Sequence, residues 1–115
     1  MDSQRDGIAL DSYKMTRRRF IEVGDIEFGP GFISMIEYYF MRKIGQNPFV
    51  MLFSHPRTVY DEWIHMFKGE EQIKTLFEKA IGPSYITLLE SIKRNDGPSV
   101  FNIIYDKAII CDAAS

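Results

Sequence analysis

Apolar residues recur with the 3.6-residue period of an α-helix between Gly69 and Asp96, and this stretch carries the clearest structural signal in the chain. Its first half has apolar residues at i, i+3, i+4, i+7 and i+8, and its second half repeats the spacing after a break at Gly82-Pro83. The two stripes consist of Ile73, Leu76, Phe77, Ala80 and Ile81, and of Tyr85, Leu88, Leu89 and Ile92. We therefore predict two amphipathic helices joined at this break.

A further helix is predicted to follow the break at Gly29-Pro30-Gly31 and to end at Gly45. Arg42 and Lys43 lie in its last turn, where the helix dipole favours cations. Its predicted apolar stripe is formed by Phe32, Met35, Ile36, Tyr39 and Phe40, and the stripe is widened by Ile33, Tyr38, Met41 and Ile44. Because so much of its surface is apolar, we expect this helix to be contacted on more than one side.

In the middle of the chain, the apolar pattern predicts one more helix and leaves the secondary structure of one segment undecided. Pro56 to Lys68 is predicted to be a helix, with apolar positions at Val59, Tyr60, Trp63, Ile64 and Phe67. Residues 48–54 are compatible with a helical turn or with a buried strand, because periodicity does not discriminate over so short a run.

Two segments near the ends favour extended structure. Phe20 to Phe28 contains Gly24-Asp25, a dipeptide that suits a hairpin turn. Residues 99–111 follow the turn signal Asn95-Asp96-Gly97-Pro98 and are rich in Val and Ile, which favours a strand, with a helix as the alternative. We therefore predict a mainly helical α+β domain over residues 14–115, with about four helices and a small sheet or hairpin from the terminal segments. Residues 1–13 are predicted to form a loose tail.

Composition excludes some classes of protein. The chain has 115 residues, of which 45% are hydrophobic and 14% aromatic, and this suits a single globular domain with large core side chains. Its net charge of −2 is not that of a general nucleic-acid binder. The longest apolar run, Phe49 to Phe53, is too short to cross a membrane, and the first residues do not resemble a signal peptide. Cys111 is the only cysteine, so no internal disulfide forms and we expect a cytoplasmic setting.

Two groups of residues are candidates for binding. Arg17, Arg18 and Arg19 belong to a basic run that could contact an anion or nucleic acid, although a solvated flank is the simpler interpretation. The aromatic stripe of Tyr60, Trp63 and Phe67 could line an apolar pocket or an interface, although such stripes more often form core.

Two further groups of residues were considered as a metal site and as a nucleophile. Asp61, His65 and the nearby His55 do not make a four-ligand zinc set, and Cys111 lies in an apolar run that suits an inert core cysteine. We expect no catalytic residue, metal or cofactor.

The segments GFISMIEYYFMRKIG and LFEKAIGPSYITLLESIKR together resemble the small archaeal Nitrosopumilus output domain. The resemblance covers about residues 30–94 and rests on a Tyr-rich helix ending in glycine and on a later Leu-Phe-Glu-Lys-x-x-Gly break before an aliphatic helix. It implies a short, mostly helical module of archaea with a regulatory or interaction role, and it carries over no catalytic residue.

These observations lead to a functional hypothesis and two alternatives. Large apolar residues are in excess and no catalytic constellation is present, so we predict a non-catalytic interaction or regulatory module that self-associates or binds a protein partner. The alternatives are a small-molecule sensor with an aromatic pocket around Trp63, and a nucleic-acid binder that uses the three arginines. We predict no association with a membrane.

Overall fold

The computed structural model describes the backbone of residues 2–67 and 69–114 and, within these ranges, the side chains of residues 13–67 and 69–106. Seven helices follow one another along the described backbone, which contains no strand. In chain order they are α1 (Asp2–Phe28), α2 (Phe32–Ile44), α3 (Pro48–Met51), α4 (Pro56–Phe67), α5 (Glu70–Ile81), α6 (Tyr85–Lys93) and α7 (Gly97–Ala114). The predicted α+β fold with about four helices and a terminal sheet or hairpin is therefore wrong.

The first predicted strand segment, Phe20 to Phe28, is the last part of α1. Gly24 lies inside this helix and not in a hairpin turn. A Cβ atom at this position would overlap the side chain of Ile33 on α2. Asp25 also contacts the start of α2, since its Oδ1 accepts a hydrogen bond at 3.0 Å from the backbone N–H of Gly31. The two residues that suggested a turn instead allow α2 to approach closely and satisfy a free amide at its start.

The second predicted strand, residues 99–111, belongs to α7. Asp96 caps this helix, accepting hydrogen bonds from the backbone N–H of Ser99 at 3.2 Å and from its hydroxyl at 2.7 Å. Val100 and Ile104, four residues apart, are both buried against the core. Burial of one helical face outweighs the strand preference of the β-branched residues, which depends strongly on tertiary context.

The turn before α7 is tightly built. Asn95 adopts a left-handed conformation with φ 58°, and its side-chain oxygen accepts a hydrogen bond from the backbone N–H of Arg57 in the first turn of α4. Gly97 approaches the backbone carbonyl of Phe53 so closely that a Cβ atom would collide with it. The predicted turn thus joins α6 to α7 and also fixes the start of α4.

Several helices were predicted correctly. All five residues of the first stripe in the Gly69–Asp96 stretch are buried on α5, and Leu88, Leu89 and Ile92 are buried on α6. The open segment 48–54 contains the short helix α3, which begins at Pro48 because the side chain of Asn47 accepts a hydrogen bond at 2.9 Å from the N–H of Phe49.

The core is organised around α1, which packs against α2, α3, α5 and α7. Phe20 on α1 is fully buried and its ring contacts those of Phe49, Trp63 and Phe77, which lie on α3, α4 and α5.

The loose tail over residues 1–13, ahead of a single domain over 14–115, stays a prediction, because the side chains of residues 1–12 lie outside the described set. No helix in the described segments is long and apolar enough to cross a membrane.

Candidate functional site

The inward face of α2 differs from the predicted one. Ile33, Ile36 and Phe40 are the buried residues of this helix, with exposed fractions of 3% or less. The predicted stripe is correct for Ile36 and Phe40 but wrong for Met35 and Tyr39, which are exposed. Nearly the whole helix is apolar, so more than one stripe fits the helical period, and the helices that pack against α2 select the buried one.

The opposite side of α2, here called the outward face, consists of Met35, Tyr38, Tyr39, Met41 and Arg42. The first four are 45–55% exposed. We expected α2 to be contacted on more than one side, and α1, α3 and α4 do pack against it. The outward face nevertheless stays open to solvent. Among the described side chains seven large hydrophobic residues are exposed, and four of them lie here, whereas the other three lie on three different helices.

The aromatic residues of the outward face are held in place by one another. The rings of Tyr38 and Tyr39 meet edge to face with centroids 5.6 Å apart. The guanidinium of Arg42 lies 5.8 Å from the Tyr38 ring centroid and donates a hydrogen bond at 3.0 Å to its hydroxyl. Large side chains ordered in this way lose little further freedom when a partner covers them.

Polar contacts anchor α2 beneath this face. Glu37 accepts hydrogen bonds from Arg17 Nε at 2.7 Å, from Arg17 Nη2 at 3.0 Å and from Asn47 Nδ2 at 2.8 Å. Burial would raise the pKa of Glu37, but the hydrogen bonds from Arg17 and Asn47 together outweigh it, so the pKa of Glu37 is lowered. The same contact raises the pKa of Arg17. One carboxylate therefore ties α2 to α1 and to the start of α3.

A groove between α2 and α4 extends the outward face. It is a shallow groove open to solvent, with a volume of about 430 Å³, and it is lined by Tyr39, Arg42, Lys43, Glu62, His65 and Met66. Lys43 Nζ and Glu62 form an ion pair at 3.0 Å across it. Tyr39 thus belongs to both the groove and the outward face, which together form one continuous surface.

The predicted aromatic pocket is filled by its own side chains. Tyr60, Trp63 and Phe67 are 6%, 1% and 2% exposed. The Trp63 ring contacts those of Phe20, Phe49, Phe67 and Phe77, with centroids 5.8–6.2 Å apart. Its indole Nε1 is buried and has no hydrogen-bond partner among the described residues. The stripe thus contributes to the core.

The three arginines of the basic run point in different directions. Arg17 is held by Glu37, and Arg19 donates hydrogen bonds at 3.3 Å to the backbone oxygens of residues 79 and 80 in the last turn of α5. Arg18 is exposed and contacts the sulfur of Met15. Consecutive helical residues lie about 100° apart, so the run does not form one cationic patch. Two of its three charges instead serve contacts within the fold.

The residues weighed for metal binding do not converge. Asp61 accepts a hydrogen bond at 3.0 Å from Arg57, His55 is paired with Ser54, and His65 lies in the groove beside α2. Within the described side chains no group of three or more His, Cys, Asp or Glu is placed to hold a metal ion. The side chain of Cys111 lies outside the described residues, so its predicted burial stays a prediction.

Comparison with known proteins adds no relative. No protein-family model, curated protein or solved structure matches the chain. The resemblance of residues 30–94 to the archaeal output domain therefore stays a prediction. The outward face of α2 is the candidate site that sequence reasoning missed, although Tyr38 and Met41 already signalled it as apolar residues beyond what one buried stripe requires.

Proposed function

We propose that this protein is a non-catalytic interaction module that self-associates through the outward face of α2. The observation that carries the proposal is the concentration of Met35, Tyr38, Tyr39 and Met41 on the solvent side of one helix. Exposed apolar residues that are grouped on one face, unlike those scattered singly, are candidates for an interaction site.

The residue types support this proposal. Protein interfaces are enriched in Tyr, Met and Arg and depleted in Lys and Glu, and the outward face contains two Tyr, two Met and Arg42. Tyr38 and Tyr39 are the kind of large, rigid side chain that dominates binding energy when it is desolvated at the centre of an interface. The anchoring of α2 by Glu37 keeps the face preorganised.

A regulatory role in an archaeal cell extends the proposal. It depends on the resemblance of residues 30–94 to an output domain, and the single cysteine agrees with a reducing, cytoplasmic setting. In that role, association of copies would be the signal that the module transmits.

The test is the mass of the purified, untagged protein in native mass spectrometry and in size-exclusion chromatography with light scattering. We expect a multiple of 13.4 kDa for the wild type. The double variant Met35→Ser/Tyr39→Ser should move to a single chain mass. Ile86→Ser on α6 is the matched control, since Ile86 is 56% exposed and Tyr39 is 55% exposed.

Two outcomes would contradict the proposal. One is a wild-type protein that stays a bare monomer at high concentration. The other is an oligomer that Ile86→Ser disrupts as much as the α2 variant does, since the contact would then lie elsewhere. Extra mass on every subunit would support a retained ligand instead and would favour the sensor hypothesis.

A further inference from the structure

Opposite charges lie near the two ends of α2, Arg42 on α2 itself and Asp25 in the last turn of α1, and neither forms an ion pair within the described side chains. At the C-terminal end, the guanidinium of Arg42 lies over the Tyr38 ring and donates a hydrogen bond to the Tyr38 hydroxyl. Its neighbour Lys43 is neutralised by Glu62. No carboxylate in the described part of the chain lies within 4.0 Å of the Arg42 guanidinium.

The complementary charge lies beside the N-terminal end of α2. Asp25 belongs to the last turn of α1, and its carboxylate reaches this end, where it accepts a hydrogen bond from Gly31 N–H. It is half-exposed, and no lysine or arginine among the described side chains forms an ion pair with it. From Gly31 to Arg42 the helix rises about 16 Å, so the two charges stand at opposite ends of the apolar stretch around Tyr38.

This pattern is complementary to itself under a two-fold rotation. If two α2 helices pack antiparallel through their outward faces, Arg42 of each copy approaches Asp25 of the other. Near the two-fold axis, Met35 of each copy then lies opposite Tyr38 of the other, in the reciprocal pairing that an isologous interface requires. A parallel arrangement would bring Arg42 against Arg42 and Asp25 against Asp25, and like charges disfavour it.

We infer that the occupant of the outward face is a second copy of this chain, docked with the two α2 helices antiparallel and with reciprocal Arg42–Asp25 contacts. The inference rests on the proposed self-association and specifies its geometry. The apolar centre supplies most of the affinity, and the two charge pairs at the rim select the orientation.

The test uses two charge reversals and their mixture. Arg42→Glu alone and Asp25→Lys alone each place two like-charged pairs at the interface, and each should raise the homodimer Kd by about 10- to 50-fold. When the two variants are mixed, both contacts pair opposite charges again, so a heterodimer should form at close to the wild-type Kd. Native mass spectrometry separates it from either homodimer, because the two variants differ in mass.

Two controls separate charge from folding. Asp25→Asn keeps an acceptor for the Gly31 amide and removes only the charge, so it should raise the Kd less than Asp25→Lys does. Lys74→Glu on α5 changes the net charge by as much as Arg42→Glu but lies away from α2, and it should leave the Kd within about twofold of the wild-type value.

The outcomes distinguish this inference from the proposed function. Preferential heterodimer formation in the mixture supports the antiparallel geometry. A wild-type dimer that is lost in Met35→Ser/Tyr39→Ser but shows no preference for heterodimers in the mixture overturns the geometry and leaves self-association standing. A wild-type monomer overturns both.

Discussion

Two aromatic groups of this protein look alike along the sequence and differ in the folded chain. The Trp63 cluster, in which Trp63 contacts Phe20, Phe49, Phe67 and Phe77, is buried, and Trp63 is 1% exposed. The pair Tyr38–Tyr39 is more than half exposed although its rings also touch. Both groups lie on helices with apolar spacing. The comparison teaches that an aromatic residue on an amphipathic helix becomes core or binding surface according to what packs over it.

The difference has an energetic consequence. Rings buried from several sides stabilise the fold through transfer from water and close packing, whereas exposed rings contribute little until a partner covers them. Substitutions in the Trp63 cluster should therefore change the free energy of unfolding, and substitutions in the Tyr38–Tyr39 pair should change association.

The largest expected effect is that of Trp63→Ala. Removal of the ring leaves a cavity between four aromatic side chains, and we expect a loss of about 3–5 kcal/mol in the free energy of unfolding. Urea denaturation followed by circular dichroism measures it, since the variant lacks the only tryptophan. A loss below about 1 kcal/mol would show that the cluster is loosely packed and would revive the hypothesis of a ligand pocket at Trp63.

A smaller loss of stability is expected from a substitution at Glu37, which anchors α2 to α1 and to the start of α3. Glu37→Gln removes the charge that pairs with Arg17, and we expect a loss of about 1–2 kcal/mol in the free energy of unfolding at neutral pH. Because the pKa of Glu37 is lowered in the fold, its contribution is fully present above the pKa of the unfolded chain and is lost as the pH falls through the folded pKa.

The pH dependence provides the check on that prediction. The wild type and Glu37→Gln should differ in stability near pH 7 and converge in acid, in urea titrations at several pH values. Glu90→Gln, at an exposed carboxylate on α6, is the control and should match the wild type throughout. A difference between the wild type and Glu37→Gln that persists in acid would mean that the charge is not what anchors α2.

The smallest effect on stability is expected for Tyr39→Ser. An exposed side chain removed from a helix surface should change the free energy of unfolding by no more than about 0.5 kcal/mol. The free energy of unfolding should be measured at a protein concentration well below the Kd of self-association, because binding of a second copy adds to the apparent stability. A loss comparable to that of Trp63→Ala would place Tyr39 in the core and remove the contrast.

Sequence reasoning succeeded where local and tertiary preferences agree. The stripe on α5, including Ile73 and Leu76, fits one helical face only and is wholly buried. Gly45 ends α2 as predicted, in the left-handed conformation that glycine adopts readily. Such features depend on a few neighbouring residues, so they are visible without the fold.

The same reasoning failed where distant contacts decide. Gly24-Asp25 is a good turn dipeptide in isolation, but in the fold it lies within α1, where Gly24 makes room for Ile33 and Asp25 accepts a hydrogen bond from the amide of Gly31. Val100 and Ile104 favour strands locally, yet the core accepts them four residues apart on α7. For the candidate site, the sequence identified α2 as unusually apolar but assigned Met35 and Tyr39 to the wrong face.

By itself, then, the sequence determined the helical period of α2, α4, α5 and α6, several of the breaks that end helices, and the surplus of large apolar side chains. Only the tertiary structure decided which helix lies at the centre, which stripe of α2 is buried and where the arginines point. The physical reason is that periodicity and capping are local, whereas burial and charge pairing depend on neighbours far apart in the chain. Arg17 and Glu37, twenty residues apart, illustrate this, since their contact orients the helix that carries the proposed interface.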